Sequence, residues 1–174
     1  MRPVLLVAAA LVLSACRPDA PAPVADAPSA VAAPAPSAET PSVPVVDASL
    51  PAMTVYKTPT CGCCTAWVDH MKAAGFRVDV RDTLDLAPVK LDLGVPAGLG
   101  SCHTARVGDY VVEGHVPAAD VKRLLDERPE GVAGIAVPGM PTGSPGMEVP
   151  GQPAQPYDVV AFGTGGQHVF ASHR

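Results

Sequence analysis

Between Arg17 and Pro51 the chain cannot build a core. Nine of those 35 residues are proline and ten are alanine, with no aromatic residue and no apolar periodicity. Such a stretch buries too little surface to offset the entropy of ordering it. It reads as a semi-rigid, polyproline-like tether reaching up to roughly 100 Å at ~3.1 Å per residue. Folding is therefore left to residues 52–174, enough chain for one domain with one core.

The segment before the tether reads as an address. Arg2 precedes an apolar run from Val4 to Leu13, shorter than the about 20 residues a membrane-spanning helix needs and matched to a signal-peptide h-region. Leu13-Ser14-Ala15-Cys16 resembles the bacterial lipobox. Residues 1–15 are thus expected to be a signal peptide and Cys16 the lipidated residue. Acyl chains on Cys16 would anchor the protein to a bacterial membrane, expected to be the outer one, with the domain in the periplasm.

Met53 to Arg174 carries 10 basic and 13 acidic residues, a net charge of −3. Without a basic patch or aromatic-basic interleaving, nucleic acid is not an expected partner. Aromatic residues make up only 4% of the chain, which argues against an extended stacking platform for bases or sugars.

Within the domain, Met53 to Tyr56 predicts a strand and Thr58-Pro59-Thr60 a turn. A helix follows from about Cys63, with Trp67, Met71 and Ala74 on one stripe and Gly75 as its stop. Phe76 to Val80 alternates as a half-buried strand does. Leu84 to Leu93 is a helical candidate interrupted by Pro88. Ala105–Val107 and Tyr110–Val112 predict a strand pair turning at Gly108-Asp109. Pro117 to Arg128 predicts a helix with Val121, Leu124 and Leu125 on one face. Gly131 to Pro156 holds six glycines and six prolines in 26 residues and reads as one long loop. Tyr157–Phe162 and His168–Ala171 flank Gly163 to Gly166 as a hairpin. The order suggests an α/β, thioredoxin-like domain with a Gly/Pro-rich C-terminal extension and hairpin. Pro96 stands where that fold has a proline facing its cysteines.

Chemistry concentrates at Cys61-Gly62-Cys63-Cys64. A strand-to-helix turn sets these sulfurs near unpaired N–H groups and the positive end of the helix dipole, which favours thiolate. Cys102 is a fourth thiol. Three readings are open. Disulfide stapling is the default in an oxidising compartment. The Cys61/Cys64 spacing also suits a thiol-disulfide oxidoreductase, which needs only two sulfurs. A thiolate metal site gives all four a use, and soft sulfur donors select copper(I), with zinc the competitor. Three sulfurs within four residues further suggest bridging thiolates and more than one copper ion.

His103 and His115 are imidazole candidates for the same ion. Cys102 and His103 are adjacent, and strand neighbours face opposite ways, so both reach it only from a bend. Met140 and Met147, in matching Pro-Gly-Met settings, are thioether candidates or flexible fillers. His70 lies too far along its helix, and His168 and His173 read as surface residues. Glu113 is a candidate for an acid/base role or for supporting a ligand.

Several motifs taken together carry a family resemblance. Val55 to Cys64 with Trp67, Ser101 to Ala105, Glu113 to Pro117, Pro138 to Pro141 and Gly143 to Glu148 are similar to the periplasmic copper-resistance CopG family, over about Val55 to Phe162. The resemblance implies a thioredoxin-like fold, a copper site at the C-x-C-C motif, and a role in copper detoxification or copper redox interconversion. Other periplasmic copper-handling proteins are expected partners for such a role. The lipobox and the long tether depart from that pattern.

Overall fold

The computed structural model describes residues 45–174; the signal segment, Cys16 and most of the tether lie outside them. Among the described residues no helix is long and apolar enough to cross a membrane.

Strand β1 (Met53–Lys57) buries every second side chain, the period-2 pattern of a pleated strand. Helix α1 (Gly62–Ala73) follows, with Cys61 at its N-cap, and buries Cys64, Trp67, Val68 and Met71. Its end is a left-handed glycine cap. Gly75 takes φ +97° and donates to Lys72 O, while Phe76 N donates to Met71 O, the paired bonds of a Schellman motif. Phe76 therefore belongs to the helix-ending turn and the core, and β2 runs later than its alternation suggested, over Val78–Asp82. Helix α2 is only Ala87–Asp92. Pro88 starts it rather than interrupting it, because a proline in the first turn has no N–H to lose.

Strands β3 (His103–Val107) and β4 (Tyr110–Glu113) pair antiparallel about Gly108-Asp109. Helix α3 spans Ala118–Glu127, with Pro117 at the N-cap position rather than inside the helix. Inside the expected long loop lies a short strand, β5 (Gly134–Ala136), parallel to β4. A Cβ at Gly134 would meet Val111 O at 2.3 Å, so glycine is what permits that pairing. Strands β6 (Tyr157–Gly163) and β7 (Gly166–His173) form the expected hairpin.

The seven strands form one sheet in the order β2-β1-β3-β4-β5-β6-β7. Val112, Ile135 and Ala161 join Trp67, Met71, Val121 and Leu124 in the main core. Their neighbours Val111, Ala136 and Phe162 pack with Leu99 in a second cluster. Alternation along the strands thus divides the apolar residues between two faces, with α1 and α3 on one. Asp47 to Leu50, assigned from sequence to the tether, touch the domain: Asp47 N donates to Gly75 O at 2.9 Å and Leu50 packs on the core. The architecture is a mixed α/β domain.

Candidate metal centre

The cysteine turn sits between the end of β1 and the start of α1. Cys61 Sγ accepts from Cys64 N–H at 3.3 Å, an N-cap interaction in which sulfur replaces the usual oxygen. Cys61 and Cys64 are joined as a disulfide, with Cα atoms 5.3 Å apart, while Cys63 and Cys102 are free thiols. The expectation of several free thiolates at this turn thus meets a different redox state, with one C-x-x-C pair oxidised. Cys63 Sγ lies 3.4 Å from Cys61 Sγ and 4.0 Å from Cys102 Sγ.

Cys102 reaches this turn because β3 pairs antiparallel with β1, setting His103 opposite Lys57. Cys102 precedes that strand in a bend, the local geometry that lets it and His103 serve one site. Its Sγ is 3.4 Å from His103 Nδ1 and 3.0 Å from His115 Nε2. His115 Nδ1 lies 2.8 Å from Pro145 O. A carbonyl only accepts, so Nδ1 carries the proton and Nε2 presents a lone pair toward the sulfur. His103 is fully buried, its ring 4.4 Å from Trp67 and edge-on to His115. His103 Nε2 has no hydrogen-bond partner among the described residues.

Burial governs the electrostatics. It pushes the Cys102 thiol up to about 12, helped by the adjacent Cys63. It holds His103 down at about 3, with the Lys90 charge, and that of His115 when protonated, acting in the same direction. His115 is lowered by the same cause, against a smaller raising effect of its bond to Pro145. Both imidazoles are therefore neutral near pH 7 and competent as ligands, whereas Cys102 must release a proton when it binds metal.

The donor atoms form two overlapping groups. Cys61, Cys63, Cys64 and Cys102 offer sulfurs within 4.8 Å of one another, and Cys102 Sγ with one ring nitrogen each from His103 and His115 makes the second group within the same span. Four sulfurs with two neutral imidazoles match the soft-to-borderline chemistry of copper(I), and of zinc as its competitor. In the reduced form all four sulfurs are available, so the residues present fit a thiolate-bound metal.

Two solved structures, of copper resistance protein CopG in its form 2 and form 1, are similar to this chain. The first is 44% identical, with a TM-score of 0.67, covering 72% of this chain and 98% of its own. The second is 43% identical, with a TM-score of 0.66, covering 71% and 98%. This chain belongs to the copper resistance protein CopG family. Residues 99–147 also match a family described as a protein of unknown function, DUF411. No match was found among curated proteins.

The CopG-family site extends beyond its sulfurs and imidazoles. The loop after β5 closes on α1: a Cβ at Gly146 would meet Cys63 O at 2.7 Å and Trp67 N at 2.8 Å. Met147 follows that contact and is half-buried, whereas Met140 is 53% exposed. His70 is occupied elsewhere, accepting from Ala118 N–H at 3.1 Å and so capping α3. His168 is exposed, and His173 Nε2 lies 2.7 Å from Asp120 Oδ2. Pro96 lines a shallow groove with Ala87, Lys90 and Leu91. The residue that immediately precedes β3 and faces the cysteine turn is Cys102. Sequence reasoning missed Pro145, whose contribution is a backbone carbonyl that no side-chain pattern reveals. Lys90, Ser101 and Thr104 were also missed. They surround Glu113, which is fully buried.

Proposed function

We propose that this chain is an exported copper(I)-binding protein acting in copper tolerance. Cys61, Cys63, Cys64 and Cys102 are its principal ligands, His103 and His115 complete the shell, and Met147 and Met140 are its candidate outer donors. The observation that carries this reading is the four sulfurs within 4.8 Å of one another, in a chain whose similar solved structures are of copper resistance protein CopG. The strand order β2-β1-β3-β4, with the cysteines at the β1–α1 turn, supports the thioredoxin-like reading of that part of the domain.

Crowding at one turn favours more than one copper ion. Bridging spreads the charge of several thiolates over several cations and relaxes the demand that Cys63 and Cys64 occupy separate vertices around one ion. The Cys61–Cys64 disulfide supports a redox role as well. Two copper(II) ions, each taking one electron from the Cys61 and Cys64 thiolates, become two copper(I) ions and leave that disulfide. Other periplasmic copper-handling proteins are the partners this role implies. Cys16, carrying lipid, would hold the domain at a membrane while the tether sets its distance.

Anaerobic titration of the reduced protein with copper(I) is the test, read by metal-to-protein ratio and by X-ray absorption. A ratio above one with a short copper–copper vector is expected. A ratio of one without that vector overturns the cluster, and undiminished affinity after Cys61, Cys63 and Cys64 are all replaced by Ser overturns the site. The same disulfide favours a second reading, a thiol-disulfide oxidoreductase. Metal-free turnover in an insulin-reduction assay would establish it.

A further inference from the structure

Glu113 is the last residue of β4 and is fully buried, a costly place for a carboxylate unless it is paired and hydrogen-bonded. It is both. Oε2 accepts from Thr104 Oγ1 at 2.7 Å, and Oε1 accepts from Ser101 N–H at 2.6 Å and from Lys90 Nζ. Lys90, on α2, also donates to Thr104 Oγ1 at 2.9 Å. A buried ion pair is weak grounds for stability, since well-packed apolar residues commonly do as well. What this one holds is more informative.

Ser101 is the residue before Cys102. Three consecutive residues, Glu113, Gly114 and His115, grip three others, Ser101, Cys102 and His103. Glu113 accepts from Ser101 N–H, Gly114 N donates to His103 O at 3.1 Å, and His115 Nε2 meets Cys102 Sγ. Gly114 has φ +70°, and a Cβ there would meet Ser101 Cβ at 2.5 Å, so the two segments touch without room for a side chain. Ser101 Oγ in turn donates to Gly139 O, in the loop that carries Met140. The carboxylate thus fixes the backbone on which Cys102 rides, and its neighbour ties in the covering loop.

The geometry points to Glu113 and Lys90 as a positioning pair that sets Cys102 Sγ between Cys63 and His115. Its bearing on metal rests on the copper reading above, while its bearing on the placement of Cys102 does not.

The test uses the full chain with Glu113→Ala, Glu113→Gln and Lys90→Met, each alone and combined with Cys102→Ser. Val121→Ala, in the core away from the site, controls for lost stability. Copper(I) affinity is read against a chromogenic chelator, and the ratio of Cys102 to Cys63 alkylation is read by mass spectrometry on reduced, metal-free protein. Glu113→Ala should lower copper(I) affinity by about tenfold or more, the usual loss when the support of a ligand is removed. That loss should vanish in the Cys102→Ser background. It should also shift the alkylation ratio, which Val121→Ala leaves alone. Glu113→Gln should keep the ratio near that of the parent, because its amide oxygen still accepts from Ser101. If Glu113→Ala does not fold, Lys90→Met should shift the ratio in the same direction by less. An unchanged ratio in every folded variant, or a full affinity loss without Cys102, would overturn the proposal and leave the pair as a brace for α2. Should the parent protein take up no copper(I), the proposed function fails, and the alkylation ratio still decides the role of the pair.

Discussion

Cys102 Sγ and His115 Nε2 lie 3.0 Å apart, brought together by the β3–β4 hairpin, with the histidine oriented from behind by Pro145. Because His115 Nδ1–H donates to that carbonyl, Nε2 is left unprotonated toward the thiol. On the proposed copper reading, the sulfur and the imidazole would enter the site already facing one another.

His115→Ala should therefore weaken copper(I) binding by about tenfold or more, since even removing a residue that only supports a ligand commonly costs that much. Competition against a chromogenic chelator under anaerobic conditions measures it. Unaltered affinity would place His115 outside the metal shell.

Copper affinity should rise with pH. Cys102 is held protonated up to about 12 by burial and by Cys63, so metal must displace its proton throughout the physiological range. Each pH unit should strengthen binding about tenfold for that one proton. Titrations at several pH values, with parallel measurement of released protons, should show Cys102→Ser reducing the slope by one proton.

His103 links folding to pH in the metal-free, reduced protein. Its folded value near 3 lies below the ordinary 6.5, so between those values the unfolded chain binds more protons and stability grows with pH. The contribution is fully present above pH 6.5 and is lost progressively as pH falls toward 3. Urea unfolding at pH 5 should give a stability lower by about 1–2 kcal/mol than at pH 6.5 from this residue. His103→Asn should flatten that difference.

Gly146→Ala should destabilise the domain by about 1–3 kcal/mol, the range for a strained backbone position forced against its neighbours. Gly146 has φ +84°, and its Cβ would strike Cys63 O and Trp67 N. The substitution should also weaken copper binding by lifting Pro145 from His115. Thermal unfolding and chelator competition together would separate the two effects.

At the other end of the chain, Cys16→Ser should move the protein from the membrane fraction to the soluble one. Fractionation checks this, and continued membrane association would assign anchoring to another segment.

What was legible in the sequence was local. The β-forming residues of Met53–Tyr56, the Trp67/Met71 stripe, the Gly108-Asp109 turn and the Val121/Leu124 face each name their element through nearest neighbours along the chain. Strand β5 was not legible, because Gly134 to Ala136 is too short to show a period and pairs only through long-range contact. The cysteine turn announced the site, and the β3 register brought Cys102 to it. Which two sulfurs pair, that Glu113 is buried against Lys90, and that Pro145 orients His115 all depend on approaches between distant segments that composition does not encode.

Strand β5 changes what the methionine-bearing loop must do. Residues 137–156 leave from β5 and return into β6, which are neighbouring, paired strands, so both ends of the loop are anchored by the sheet. Gly139 N–H to Gly100 O and Gln155 N–H to Thr142 O fasten it further. Closing a free segment over an arriving ion would cost chain entropy at that moment. Here most of that loss is incurred when the domain folds, because the loop's place against the start of α1 is part of the fold itself.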